Sequence, residues 1–113
     1  MTDINTCDPE AIADRLALQS QLEHIRITVH AHQEMVEEAI VLNDVLCALG
    51  HAIVIENYPD HKRGPCCLVY GQNEMGRDLH VVCTTTLDLA IIITVYEPKQ
   101  PKWKDPFTRE KTE

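Results

Sequence analysis

The apolar positions change period several times along the chain, and each change marks an element. After Asp8-Pro9-Glu10, residues Ile12, Leu16, Leu18 and Leu22 recur with several alanines at helical spacing. That pattern predicts an amphipathic helix to about residue 22. Its start is written in Asp8 as N-cap, Pro9 at the first helical position and Glu10 in the first turn. From Ile25 the period drops to two. Ile25, Ile27 and Val29 alternate with Arg26 and Thr28, as in a short half-buried strand. "HAHQEMVEEA" returns to helical spacing, with Ala31, Met35, Val36 and Ala39 as its buried stripe. Asn43 is placed to cap a short helix over residues 44–49, with Gly50 in the C′ role.

Strand patterns fill the next half. "HAIVIENY" stops at Pro59, the loop "PDHKRGP" is bounded by prolines, and "CCLVYG" is again a strand. "NEMGRD" is its turn, with Gly76 available for a positive φ. "LHVVCTTTLDLAIIITVYEP" then reads as two strands around a polar break. Beyond Pro98 the chain is polar and proline-interrupted, yet Trp103 and Phe107 are large enough to dock it on the body before the end frays. Helices followed by a run of strands predict an α+β fold. The expected architecture is an antiparallel sheet of consecutive hairpins with short helices packed on one face, plus an N-terminal helix. The length suits a single domain over residues 1–113. Its parts are a helix at 1–24, a body at 25–98 and a tail at 99–113.

Strand parity sorts the last two strands. Residues 79, 81 and 83 share one face of the first, and 91, 93 and 95 share one face of the second. An odd loop such as Thr86-Leu87-Asp88 gathers Leu79, Val81, Cys83, Ile91, Ile93 and Val95 into an apolar face toward the helices, whereas a slip of one residue would mix the sets. The same register collects His80, Thr84, Thr94 and Tyr96 on the opposite face, with His80 and Tyr96 as cross-strand neighbours.

Charge narrows the function classes. The net charge is -8, with only 10 Lys and Arg, so long-range fields repel nucleic acid unless cations gather locally. Lys62 and Arg63 are adjacent in the proline-bounded loop, and Lys99, Lys102, Lys104 and Arg109 fall in the tail. No apolar run approaches the ~20 residues of a membrane span, and the first residues lack a signal-peptide pattern. A cytoplasmic protein without membrane partners is therefore expected. Cys7, Cys47, Cys66, Cys67 and Cys83 are odd in number and lack a C-x-x-C spacing, so reduced thiols are expected rather than a disulfide framework or zinc knuckle.

No phosphate-loop, dinucleotide, serine-hydrolase or H-E-x-x-H motif occurs. His30 and His32 form H-x-H, but at a strand-to-helix junction the two rings diverge and no third ligand is placed. No metal or other cofactor is expected, and His30 reads as a junction residue that caps the helix or faces the sheet. Arg63 offers a planar donor fork for phosphate, with Lys62 in support. His80 can exchange a proton near neutral pH, and Tyr96 can donate a hydrogen bond.

The segments "HAHQEM", "YPDHKRGPCCLVYG", "GRDLHVV", "IITVYEP" and a closing "KW" with a following Phe, spanning about residues 25–111, resemble a small bacterial family. That family is DUF4258, catalogued as a domain of unknown function. Its members are often encoded beside small zinc-finger antitoxin-like proteins, and its order of elements is similar to the messenger-RNA-interferase type of toxin fold. The resemblance implies a toxin-like component of a toxin–antitoxin pair, a metal-independent ribonuclease, with a small antitoxin-like protein as partner and RNA as substrate. It brings no established catalytic residues. Where the family often has arginines in the helix after the His-Ala pair, this chain has Glu34 and Glu38. The residues that would carry cleavage are His80, Tyr96 and Arg63, with Lys62, His30 and Thr94 in binding. A non-catalytic interaction module of the same fold is the alternative, and the oligomeric state is left open.

Overall fold

The structure is a computed structural model that describes residues 8–86, 88–99 and 103–109. Helix α1 (Pro9–Gln21) starts as its sequence indicates. The Asp8 carboxylate accepts from the Glu10 N–H at 3.0 Å, and Pro9 opens the helix. Strand β1 (Ile25–Ile27) leads at once into α2 (Val29–Glu38). Thr28 caps α2, its hydroxyl oxygen accepting from the Ala31 N–H at 3.1 Å. Helix α3 (Leu42–Gly50) begins two residues earlier than the expected 44–49. Here Asp44 reaches back and accepts from the Val41 N–H at 2.9 Å, so Val41 is the N-cap, Asn43 lies inside the helix, and Gly50 is its last residue.

Strands β2 (Ile53–Tyr58), β3 (Cys66–Gln72), β4 (Asp78–Thr84) and β5 (Ala90–Tyr96) are joined as consecutive antiparallel pairs. The sheet order is β1-β5-β4-β3-β2, and a separate hairpin is formed by β6 (Trp103–Asp105) and β7 (Thr108–Arg109). One edge corrects the expected all-antiparallel arrangement, because β1 pairs with β5 in parallel, Ile25 opposite Ala90 and Ile27 opposite Ile92. The physical reason is the connection after β1. Two helices are too long for a hairpin and carry the chain over the sheet to the far edge, which leaves β1 to join β5. No helix among the described residues is long and apolar enough to cross a membrane.

All three helices lie on one face of the sheet, as expected. Ile12, Leu16, Met35, Val45 and Leu49 meet Val69, Leu79, Val81 and Val95 in one buried cluster. At Gly71 a Cβ would stand 2.2 Å from the Ala48 carbonyl oxygen, so the α3 backbone rests directly on β3. Cys67 and Cys83 face each other across β3 and β4, and both are fully buried. The hydrogen bond to Cys67, then burial, pushes the Cys83 thiol well above its ordinary range. These cysteines behave as small core hydrophobes.

The register of β4 on β5 corrects the parity argument. His80 pairs with Tyr96, Val81 with Val95 and Val82 with Thr94, but Cys83 pairs with Ile92 because a bulge intervenes at Ile93. One extra residue reverses the alternation. Ala90, Ile92 and Val95 therefore enter the core, while Ile91 and Ile93 turn to the other face and are only half-buried. The bulge places Ala90 and Ile92 from one parity and Val95 from the other in the core. Ile92→Ala should cost about 2–5 kcal/mol through lost burial and cavity formation, and Ile93→Ala less than half as much, measured by urea denaturation. Equal losses would contradict the bulged register.

Candidate active site on the outer sheet face

The face of the sheet turned away from the helices carries Tyr70 and Gln72 on β3, Asp78, His80, Val82 and Thr84 on β4, and Thr94 and Tyr96 on β5. Histidine is costly to bury without partners, yet His80 is fully buried. Its Nε2 lies 2.6 Å from the Pro106 carbonyl oxygen and its Nδ1 lies 3.1 Å from the Tyr96 hydroxyl. A carbonyl oxygen only accepts, so Nε2 carries the proton. In the neutral ring Nδ1 then accepts from the Tyr96 O–H.

Aromatic rings wall the imidazole. Tyr96 meets it edge-on at 5.2 Å between centroids, and Tyr70 does so at 6.4 Å from the β3 side. The Tyr70 hydroxyl donates to Asp78 at 2.6 Å, and the Gln72 amide donates to the same oxygen at 3.1 Å. Burial first, and then the Asp78 carboxylate, pushes the Tyr70 phenol up, so it stays a proton donor at neutral pH. Phe107 lies against Tyr70 with ring centroids 4.7 Å apart. The Pro106–Phe107 turn of the β6–β7 hairpin thus roofs His80, and Phe107 itself stays half-exposed. The burial expected of Trp103 concerns a side chain outside the described residues, as does the fraying expected at the chain end.

Behind this site the ends of the strands are clamped. The Arg77 guanidinium donates to Glu97 at 2.7 Å and to the Glu38 and Ala39 carbonyls at 2.7 and 3.2 Å. A cation there meets the negative end of α2. Glu38 accepts from the Glu97 N–H at 3.0 Å, and Glu34 accepts from the Val95 N–H at 3.0 Å.

The structure brings His80 and Tyr96 together and keeps the other candidates apart. Thr94 is the next position on β5, opposite Val82. Arg63 and Lys62 lie exposed in the β2–β3 loop, and Arg63 lines a pocket with Thr84 and Cys66. That pocket's β4 residues, Val82 and Thr84, lie two and four positions from His80, about 7 and 13 Å at ~3.3 Å per residue. Arg63 thus shares the outer face with His80 and Tyr96 but lines a neighbouring pocket toward the Cys66 end, where its loop enters β3. His30 stands exposed on α2, on the helix side of the sheet, with its Nε2 3.4 Å from Glu34. It belongs to neither group.

Sequence pattern alone does not assign Tyr70, Asp78, Arg77 or the Pro106 carbonyl to the site. Tyr70 has a signal in the sequence, since a turn centred on Met75 sets it opposite His80. Arg77 and Pro106 carried no such signal. Residues 27–97 match the model of a family described as a domain of unknown function, DUF4258. No curated protein and no solved structure matches the chain.

Truncation after Pro98 should lower the melting temperature and leave His80 open to a histidine acylating agent that does not modify it in the full chain. An unchanged melting curve with His80 still protected would contradict the roof.

Proposed function

The chain belongs to the DUF4258 family, and on that footing we propose that it is a toxin-like component of a toxin–antitoxin pair that cleaves RNA on the outer sheet face by acid–base chemistry. One observation carries this reading: a buried histidine held at Nδ1 by its own strand partner, Tyr96, with Nε2 directed out of the sheet. In RNA transphosphorylation the 2′-oxygen bonds to phosphorus as the bond to the 5′-oxygen breaks. The 2′-hydroxyl releases a proton to solvent, and the leaving 5′-oxygen takes one up. His80 in its imidazolium form donates the Nε2 proton to that oxygen, and the neutral ring left behind takes a proton back from solvent before the next cycle. Tyr96 is a positioning residue. It holds Nδ1 and so keeps Nε2 aimed outward. Lys62 and Arg63, further along the same face, hold phosphates of the same strand. RNA entering the site would take the place of the Pro106 carbonyl.

A second reading is favoured by that same roof. Both ring nitrogens of His80 bond within the chain, and the net charge of -8 opposes RNA. In that reading the domain is a non-catalytic interaction module and His80 is a structural histidine.

The deciding experiment is cleavage of single-stranded RNA by the purified chain at low salt, beside His80→Ala and Tyr96→Phe. The catalytic reading expects cyclic-phosphate ends, a loss of about 100-fold or more in His80→Ala, and a smaller loss with an altered pH profile in Tyr96→Phe. Absence of both cleavage and RNA binding by the wild type would replace it with the interaction module.

A further inference from the structure

The roofed histidine occupies only one end of the outer face. At the other end, uncovered by the described part of the hairpin, lies a pocket of about 380 Å³ lined by His61, Arg63, Gly64, Cys66, Val82, Thr84 and Ile93. That volume lies within the range of small-ligand sites. In a chain with a net charge of -8, no carboxylate appears among these residues.

The lining divides into two kinds. Val82, Ile93 and Cys66 form an apolar floor. Ile93 is there because the β5 bulge turns it outward. Burial, with Cys67 alongside, pushes the Cys66 thiol up, so it stays neutral and belongs to the floor. The rim carries donors. The His61 Nδ1 accepts from the Arg63 N–H at 3.2 Å, which leaves the proton of the neutral ring on Nε2, directed away from that bond. The Arg63 guanidinium makes no hydrogen bond or ion pair with the described residues. Thr84 Oγ1 accepts from the Ile91 N–H at 3.0 Å and keeps its own proton to give.

An apolar floor beside a planar cationic fork suits a ligand with a flat, weakly polar body and one anionic group. We infer that this pocket binds a nucleoside monophosphate unit, with the base on Val82 and Ile93 and the phosphate on Arg63. The inference takes its ligand class from the proposed action on RNA and adds a recognition subsite to it. The same chemistry is offered by a free mononucleotide and by one residue of an RNA strand.

The test is titration of the full chain with AMP, UMP, their nucleosides, inorganic phosphate and a short single-stranded RNA, read by calorimetry and amide chemical shifts. A nucleotide should bind at least about tenfold more tightly than its nucleoside or than phosphate alone, a factor equivalent to ~1.4 kcal/mol. Shifts should centre on Gly64, Cys66, Val82 and Thr84. Arg63→Ala should lose at least about tenfold, and Arg63→Lys should recover part of it, because charge returns without the fork. Tighter binding of the RNA identifies a strand residue as the occupant, and equal or tighter binding of AMP or UMP identifies the free nucleotide. Equal binding of phosphate alone, shifts elsewhere, or affinity for nucleotide and RNA that is indifferent to Arg63→Ala overturns the inference. RNA cleavage without Arg63-dependent nucleotide binding would remove the subsite and leave the catalytic reading. Nucleotide binding without cleavage would do the reverse.

Discussion

Helix α2 supplies the hydrogen-bond partners that strand β5 lacks beyond its short pairing with β1. That pairing ends at Ile92, and the rest of β5 would present open backbone groups along an edge. Thr28 donates its hydroxyl to the Ile93 carbonyl at 3.3 Å while accepting from the Ala31 N–H. Glu34 and Glu38 accept from the N–H groups of Val95 and Glu97. Buried or half-buried backbone groups need such partners. Threonine serves here as helix cap and as donor to the bulge, and the two glutamates stand one helical turn apart, facing alternate residues of the strand. Glutamate suits these two positions for a structural reason. Carboxylates accept from backbone N–H groups, and guanidinium groups cannot.

The bulge and the site follow from this clasp. With Ile93 displaced, Val95 returns to the core and Tyr96 falls opposite His80. The roof at Pro106 then closes over a ring already held on its other nitrogen. Arg77 joins the two halves of the account, since it ties the end of α2 to Glu97 just past Tyr96. The arrangement of side chains on the outer face thus depends on contacts made at the sheet's edge and on its helix side. The same bulge turns Ile93 outward and so builds the floor of the second pocket.

Much of the fold was legible in the sequence because spacing and capping mark where elements lie, although Leu18, Leu22, Val36 and Ala39 of the expected helical stripes stay exposed. The helix at Asp8-Pro9, the strands at Ile25 and Cys66, and the turn at Gly76 all follow from local spacing and local capping. The parallel β1–β5 edge was not legible, because strand direction depends on a crossover and not on either strand's residues. Nor was the bulge: "LAIIITVY" is apolar at both parities, so its pattern cannot say where the alternation breaks. For the site, parity brought His80 and Tyr96 to one face. The separation of Arg63 depends on where a proline-bounded loop enters the sheet, and the Pro106 carbonyl is a backbone group with no side-chain signature.

The central claim is that α2 carboxylates hold the unpaired edge of β5 and thereby set the register that builds the outer-face site. Amide hydrogen exchange at Val95 and Glu97 measures this directly, because protection of those groups requires an acceptor on the edge side. The wild type should protect both amides nearly as well as the paired strand interior. Glu34→Ala should release Val95 selectively, and Glu38→Ala should release Glu97. Rapid exchange of both amides in the wild type, or protection unchanged by either substitution, would contradict the account.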